Sequence, residues 1–155
     1  MNPWKCKEWQ EFYCDKLFIR SSLRMHYCKD IDGKLKLFFN DFSKWLRKNY
    51  IFPIRVNVYL KSTCYIRAVD GENVSATFWG PFDRTAEPYI KIAAGDYNKL
   101  KTRYDEFNAL CSSIASLAHE LTHYFQWIND WDLTPEQEER QAEYYAKKIV
   151  YAYLD

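Results

Sequence analysis

Between residues 105 and 129 the chain repeats apolar side chains at a spacing that only an α-helix can gather on one side. With His119 as the zero direction and 100° per residue, Phe107, Leu110, Ile114, Leu117, Leu121, Phe125 and Ile128 fall between about 160° and 240°. A helix of this kind must press its stripe against a second layer, and the rest of the chain has to supply that layer. The middle of the sequence offers one. Ile54, Val56, Val58 and Leu60 alternate with Arg55, Asn57 and Lys61, the period of a half-buried strand. A further run covers residues 65–69, and Asp70-Gly71 signals a hairpin turn into residues 74–79. Tyr89, Ile90, Ile92 and Ala93 form another strand, closed by Gly95-Asp96.

The flanking parts read as helices. In residues 37–50, Leu37, Phe38, Phe42, Trp45 and Leu46 recur at helical spacing, and Pro53 stops any continuation. The last helix has a marked start, with Thr134 as N-cap, Pro135 at the first helical position and Gln137 placed to close a capping box. The expected order is a helical part over 1–50, a sheet over 51–104, a helix over 105–129 and a last helix over 134–154. With 155 residues this is a single α+β domain built on a three- to four-stranded mixed sheet.

Charge narrows the partners. The net charge of +1 leaves no overall field to gather nucleic acid or anionic lipid, so neither is expected as a partner. Residues 1–50 carry 11 Lys/Arg against 6 Asp/Glu, whereas residues 130–155 carry 3 against 7. The two ends can complement each other within one fold; a basic docking face is the other reading, although Glu8, Glu11 and Asp15 interrupt it. The opening Met-Asn-Pro-Trp-Lys-Cys-Lys-Glu is charged where a signal peptide needs an apolar run, and no stretch reaches membrane-spanning length. Cys6, Cys14, Cys28, Cys64 and Cys111 are odd in number and contain no Cys-x-x-Cys pair, which fits free thiols in a reducing cytoplasm. Thirteen Tyr, ten Phe and six Trp imply a core and clefts built largely from rings.

Opposite the apolar stripe of 105–129 lies His119-Glu120-Leu121-Thr122-His123. Residues four apart on a helix differ by about 40° in direction, so both imidazoles can grip one Zn²⁺. Glu120 lies part of a turn further round, where its carboxylate can reach a water beside the metal without ligating it. Ser112, Ala115 and Ser116 precede His119 on the same face and leave room above it. A catalytic zinc takes three protein ligands and keeps one open position. His26 lies far upstream, so the natural third ligand is a carboxylate of the last helix, with Glu139, Glu143 and Glu136 as candidates. Glu139 and Glu143 share a stripe with Ala142, Ala146, Ile149, Val150 and Tyr153, which suggests carboxylates that are buried and need a partner.

His-Glu-Leu-Thr-His followed by Glu139-Arg-Gln-Ala-Glu-Tyr-Tyr-Ala146 resembles the gluzincin pattern, H-E-x-x-H with a later E-x-x-x-D/E. Over residues 105–150 the likeness is greatest to small gluzincins such as the ImmA/IrrE-like peptidases, whose second helix reads E-x-x-A-N-x-F-A. The resemblance implies a minimal zincin-like fold and peptidase activity with Zn²⁺. It makes Glu139 the third ligand and Glu143 the carboxylate that orients a histidine. Glu143 stands where Asp or Asn is usual, and only 15 residues separate His123 from Glu139.

The expected chemistry is hydrolysis of a peptide or protein substrate, with zinc polarising the scissile carbonyl and Glu120 carrying the proton. The zincin architecture places an edge strand just before the metal helix, which points to residues 89–94 as the strand along which substrate lies. Tyr144, Tyr145 and Tyr153 are candidates to stabilise the oxyanion. Trp127 and Trp131 either wall a subsite or pack the loop. Cys111 is either a buried thiol or a cap on the metal, and His26 with Cys28 belongs to the scaffold. Two other functions compete with peptidase. A zinc-containing regulatory or protein-binding module would not need Glu120. A DNA-associated protease of the SprT type would need a zinc ribbon or basic tail, and the C-terminal end here is acidic and lacks Cys.

Overall fold

The computed structural model describes residues 1–13 and 19–155; Cys14 and Asp15 lie outside the described residues. In chain order the elements are α1 (Gln10–Tyr13), β1 (Leu23–Tyr27), α2 (Gly33–Asn49), β2 (Val56–Lys61), β3 (Ile66–Arg67), β4 (Asn73–Val74), β5 (Ala76–Trp79), β6 (Tyr89–Ala93), α3 (Tyr97–Arg103), α4 (Glu106–Asn129) and α5 (Pro135–Leu154). Four strands form one sheet in the order β1-β2-β6-β5. The first three are parallel, and β5 runs antiparallel to β6. The architecture is therefore α+β around a mixed sheet. A separate two-stranded hairpin joins β3 to β4 through Gly71, whose φ of 88° lies in the left-handed region that glycine enters without strain.

The alternation read from the sequence sets the sheet's faces. Val56, Val58, Leu60, Ile90 and Ile92 are buried, and between them Asn57, Tyr59, Lys61, Tyr89 and Lys91 are half-exposed. Against the buried side pack Leu35, Phe39, Phe42 and Leu46 of α2 and Ile114, Leu117, Leu121, Phe125 and Ile128 of α4. Two layers result, with α5 packed along α4.

Four features depart from the expected layout. Residues 1–50 are not wholly helical, because β1 forms within them. Leu23, Met25 and Tyr27 alternate with Arg24 and His26, and five residues are enough for a strand once β2 supplies a parallel neighbour. Second, β6 is an interior strand flanked by β2 and β5, so the sheet edge beside α4 is β5 and not residues 89–94. Third, Phe107 does not join the core: it is 56% exposed, because the buried part of α4 starts only at Ala109. Fourth, Tyr97–Arg103 form the helix α3 within the 51–104 span read as sheet.

The ends of α4 and α5 follow their capping chemistry. Asp105 accepts from the Asn108 N–H at 2.7 Å, and α4 ends at Asp130 in the left-handed conformation. After a short connection, Thr134 and Gln137 close the capping box that starts α5. No helix among the described residues is long and apolar enough to cross a membrane.

One residue outside the apolar stripe ties α4 to the segment that leads into β2. Tyr124 is fully buried, its hydroxyl donates to the Ile54 carbonyl at 2.5 Å, and it accepts from the Ile54 N–H at 3.2 Å. Tyr124→Phe strands both backbone groups while keeping the ring. Urea unfolding should show a loss of about 1–3 kcal/mol, the cost of buried groups left unpaired; a loss under about 0.5 kcal/mol would mean that the hydroxyl is not what joins the two layers.

Candidate metal centre

His119 and His123 project from the side of α4 that faces α5, one helical turn apart, with ring centroids 5.0 Å apart. Glu139, in the second turn of α5, reaches both. Its Oε2 lies 3.2 Å from His119 Nε2 and its Oε1 lies 2.9 Å from His123 Nε2. The donor atoms of the three residues all fall within 4.8 Å of one another, close enough to hold a metal ion. Neither Glu136 nor Glu143 belongs to this group among the described residues.

The orientation of the His123 ring follows from its neighbours. Gln126 Nε2 donates to the Glu138 carbonyl at 3.0 Å and to Gln141 Oε1 at 2.9 Å, which turns Gln126 Oε1 toward His123 Nδ1 at 2.8 Å. A carbonyl oxygen only accepts, so Nδ1 carries a hydrogen and Nε2 is the ring nitrogen turned toward Glu139 Oε1. The contact is an ion pair when Nε2 is protonated; with Nε2 free of its proton, ring and carboxylate together are donors that a metal ion can take. Burial holds the His119 ring below the usual histidine range; the nearby His123 adds to this and Glu139 opposes it.

Glu120 is the buried carboxylate of the site, only 8% exposed. Burial pushes its pKa up to about 7; the His123 charge opposes this, Glu139 adds to it, and a hydrogen bond with the Phe78 backbone opposes it. That bond reflects the strand's pairing. Ala93 donates to the Ser75 carbonyl across the sheet at 2.8 Å, so the alternation of an antiparallel pair turns the backbone groups of Ala76 and Phe78 outward. Glu120 therefore sits at the free edge of β5.

The structure revises the carboxylates of α5. The Glu139 side chain is 61% exposed and Glu143 is exposed, because the cleft between α4 and α5 opens to solvent. They line its rim and are not buried in an apolar face. Glu143 lies near enough to His119 for its charge to act on that ring. The hydrogen bond that orients a ring is instead made by Gln126 to His123. Gln126 was not singled out in the sequence, although three residues after His123 is a contact position on a helix.

The cleft has two lobes that meet at Ala76, Glu120 and Glu139. One, of about 520 Å³, is walled by Trp127 and Trp131. The other, of about 640 Å³, is lined by Ser112, Ala115 and Ser116 beside His119, where small residues were expected to leave room. Trp127 is both wall and packing: its Nε1 donates to the Pro81 carbonyl at 3.0 Å and its ring lies against Phe78 and Tyr124. Tyr144, Tyr145 and Tyr153 line neither lobe, and the Tyr153 hydroxyl is bonded to Asp41. Cys111 also lies outside both lobes, and burial raises its thiol pKa. His26 is on β1, stacked on Tyr59. Comparison with protein families, with curated proteins and with solved structures finds no match to this chain.

Metal analysis of the purified protein should find about one ion per chain, lost in His119→Ala and in His123→Ala. Full metal content in either variant would remove those residues from the site. Glu139→Ala should weaken the metal most among the carboxylates. Gln126→Leu should weaken it by about 10–100-fold, the cost of an unoriented ligand; an unchanged affinity would deny Gln126 that role.

Proposed function

We propose that this chain is a zinc-dependent peptidase of the gluzincin type. The observation that carries the reading is the buried carboxylate of Glu120 held beside the His119, His123 and Glu139 set, at the free edge of a strand. Two imidazole nitrogens and one carboxylate are a donor set that suits zinc better than magnesium or calcium. The three donor atoms lie within 4.8 Å of one another, a spread that one ion with ligands at about 2.0–2.2 Å can bridge with small side-chain adjustments. Zinc bound there would polarise the scissile carbonyl and acidify water.

The chain's own groups do the rest. His119, His123 and Glu139 hold the ion, and Gln126 keeps the His123 lone pair aimed at it. Glu120 takes the proton of the attacking water and passes it to the departing amine. A carboxylate whose proton affinity burial raises is suited both to accept and to return that proton. The outward N–H and C=O of Ala76 and the C=O of Phe78 can pair with an extended peptide, so β5 takes the substrate-aligning role first expected of residues 89–94. A zinc-containing regulatory or binding module remains the competing function, and Glu120 separates the two because such a module needs no base.

Glu120→Gln keeps shape and volume but cannot accept a proton at neutral pH. Metal content and melting temperature should stay near wild type, while hydrolysis of a responsive peptide falls by at least about 100-fold. A Gln variant as active as wild type would contradict the assignment of the base.

A further inference from the structure

The two lobes of the cleft are built differently. The small-residue lobe has Lys147 in its lining together with Glu143, whereas the lobe beyond His123 presents two indoles together with Asp130 and Glu138 and, among the described residues, has no Lys or Arg in its lining. Trp127 cannot leave its place there. Its Nε1 is tied to Pro81, and its ring is so close under Gly80 that a Cβ on that residue would stand 2.6 Å from it. Two indoles in the lining of one lobe supply π-rich apolar surface for the stem and head of a long cationic side chain, and the Asp130 and Glu138 carboxylates of the same lining supply the opposite charge. Asp130 is partly engaged from outside the lobe, since Arg84 Nη1 lies 3.7 Å from its Oδ2 and also donates to the Ile128 carbonyl at 3.2 Å. Glu138 accepts from Gln126 Nε2 through its backbone carbonyl, and among the described residues its carboxylate is in none of the ion pairs.

We propose that the lobe walled by Trp127 and Trp131 receives an arginine or lysine side chain of the substrate, so that the chain cleaves beside a cationic residue. The inference rests on the peptidase reading and adds the substrate class to it. The metal point lies between the lobes, with His123 bordering one and His119 the other. An extended peptide paired to β5 thus sends residues from opposite sides of its scissile bond toward different lobes, and only one side meets the indoles and carboxylates. The selectivity falls on one side of the cut.

The test uses the zinc-loaded full chain and a mixture of peptides generated without cutting at Arg or Lys, with cleavage sites read by mass spectrometry. Wild type should show Arg and Lys enriched about tenfold at one position, on one side of the cut only. On a single substrate, replacing that Arg with its neutral isostere citrulline should lower kcat/KM by a similar factor. The Arg-to-citrulline ratio should fall toward one in Glu138→Gln and in Trp131→Ala, each measured after confirming zinc content and melting temperature. Cleavage without cationic enrichment, or a ratio unchanged in both variants, overturns the proposal and leaves the peptidase reading standing. Zinc-loaded wild type that cleaves nothing in the mixture overturns the peptidase reading, and this inference with it.

Discussion

Packing α4 between the sheet and α5 is the constraint from which the site follows. On one side the helix is held by Leu117, Leu121 and Phe125 in the core and by Tyr124 on the Ile54 backbone. That burial fixes its rotation, and the rotation decides that His119 and His123 face α5. The position of α5 is set in turn by the left-handed stop at Asp130 and the capping box at Thr134. With the new helix starting at Pro135, Glu139 comes in its second turn, level with the two rings. A short connection between the motif and its third carboxylate is thus what two antiparallel neighbouring helices allow.

Electrostatics then makes the arrangement conditional. His119, His123, Glu139 and Glu120 bring imidazoles and carboxylates into one place, and Gln126, bonded to His123 Nδ1, keeps the Nε2 of that ring turned toward Glu139. Burying Glu120 raises its proton affinity, and bringing Glu139 close raises it further. A cation placed among these groups would offset the repulsion between the two carboxylates. The polar network continues outward: Gln141 accepts from Gln126 and donates to the Met1 carbonyl at 3.4 Å, so the chain's first residues are hydrogen-bonded into the far side of the site.

Much of this was legible in the sequence because it depends on local chemistry. The stripe of α4, the two histidines opposite it, the capping box of α5 and the hairpin at Gly71 are each decided within a few residues. What was not legible depends on neighbours. Leu23, Met25 and Tyr27 carry a strand period, but only pairing with β2 makes so short a run a strand. Residues 89–94 read as a strand correctly, yet whether a strand is interior or at an edge is a property of the whole sheet. Glu139 and Glu143 lie on the apolar side of α5 by angle, but an open cleft leaves them at the rim. Gln126 had a signal in its spacing from His123. Tyr124 lay just outside the stripe, and its hydroxyl partner is 70 residues away.

In the proposed function one zinc ion joins α4 to α5. A crystal of the protein, measured on both sides of the zinc absorption edge, tests it directly. The account predicts one strong anomalous peak bonded to His119 Nε2, His123 Nε2 and a Glu139 oxygen, at about 2.0–2.2 Å from each. A zinc-supplemented crystal with no peak there, or with its metal held by other residues, would contradict it.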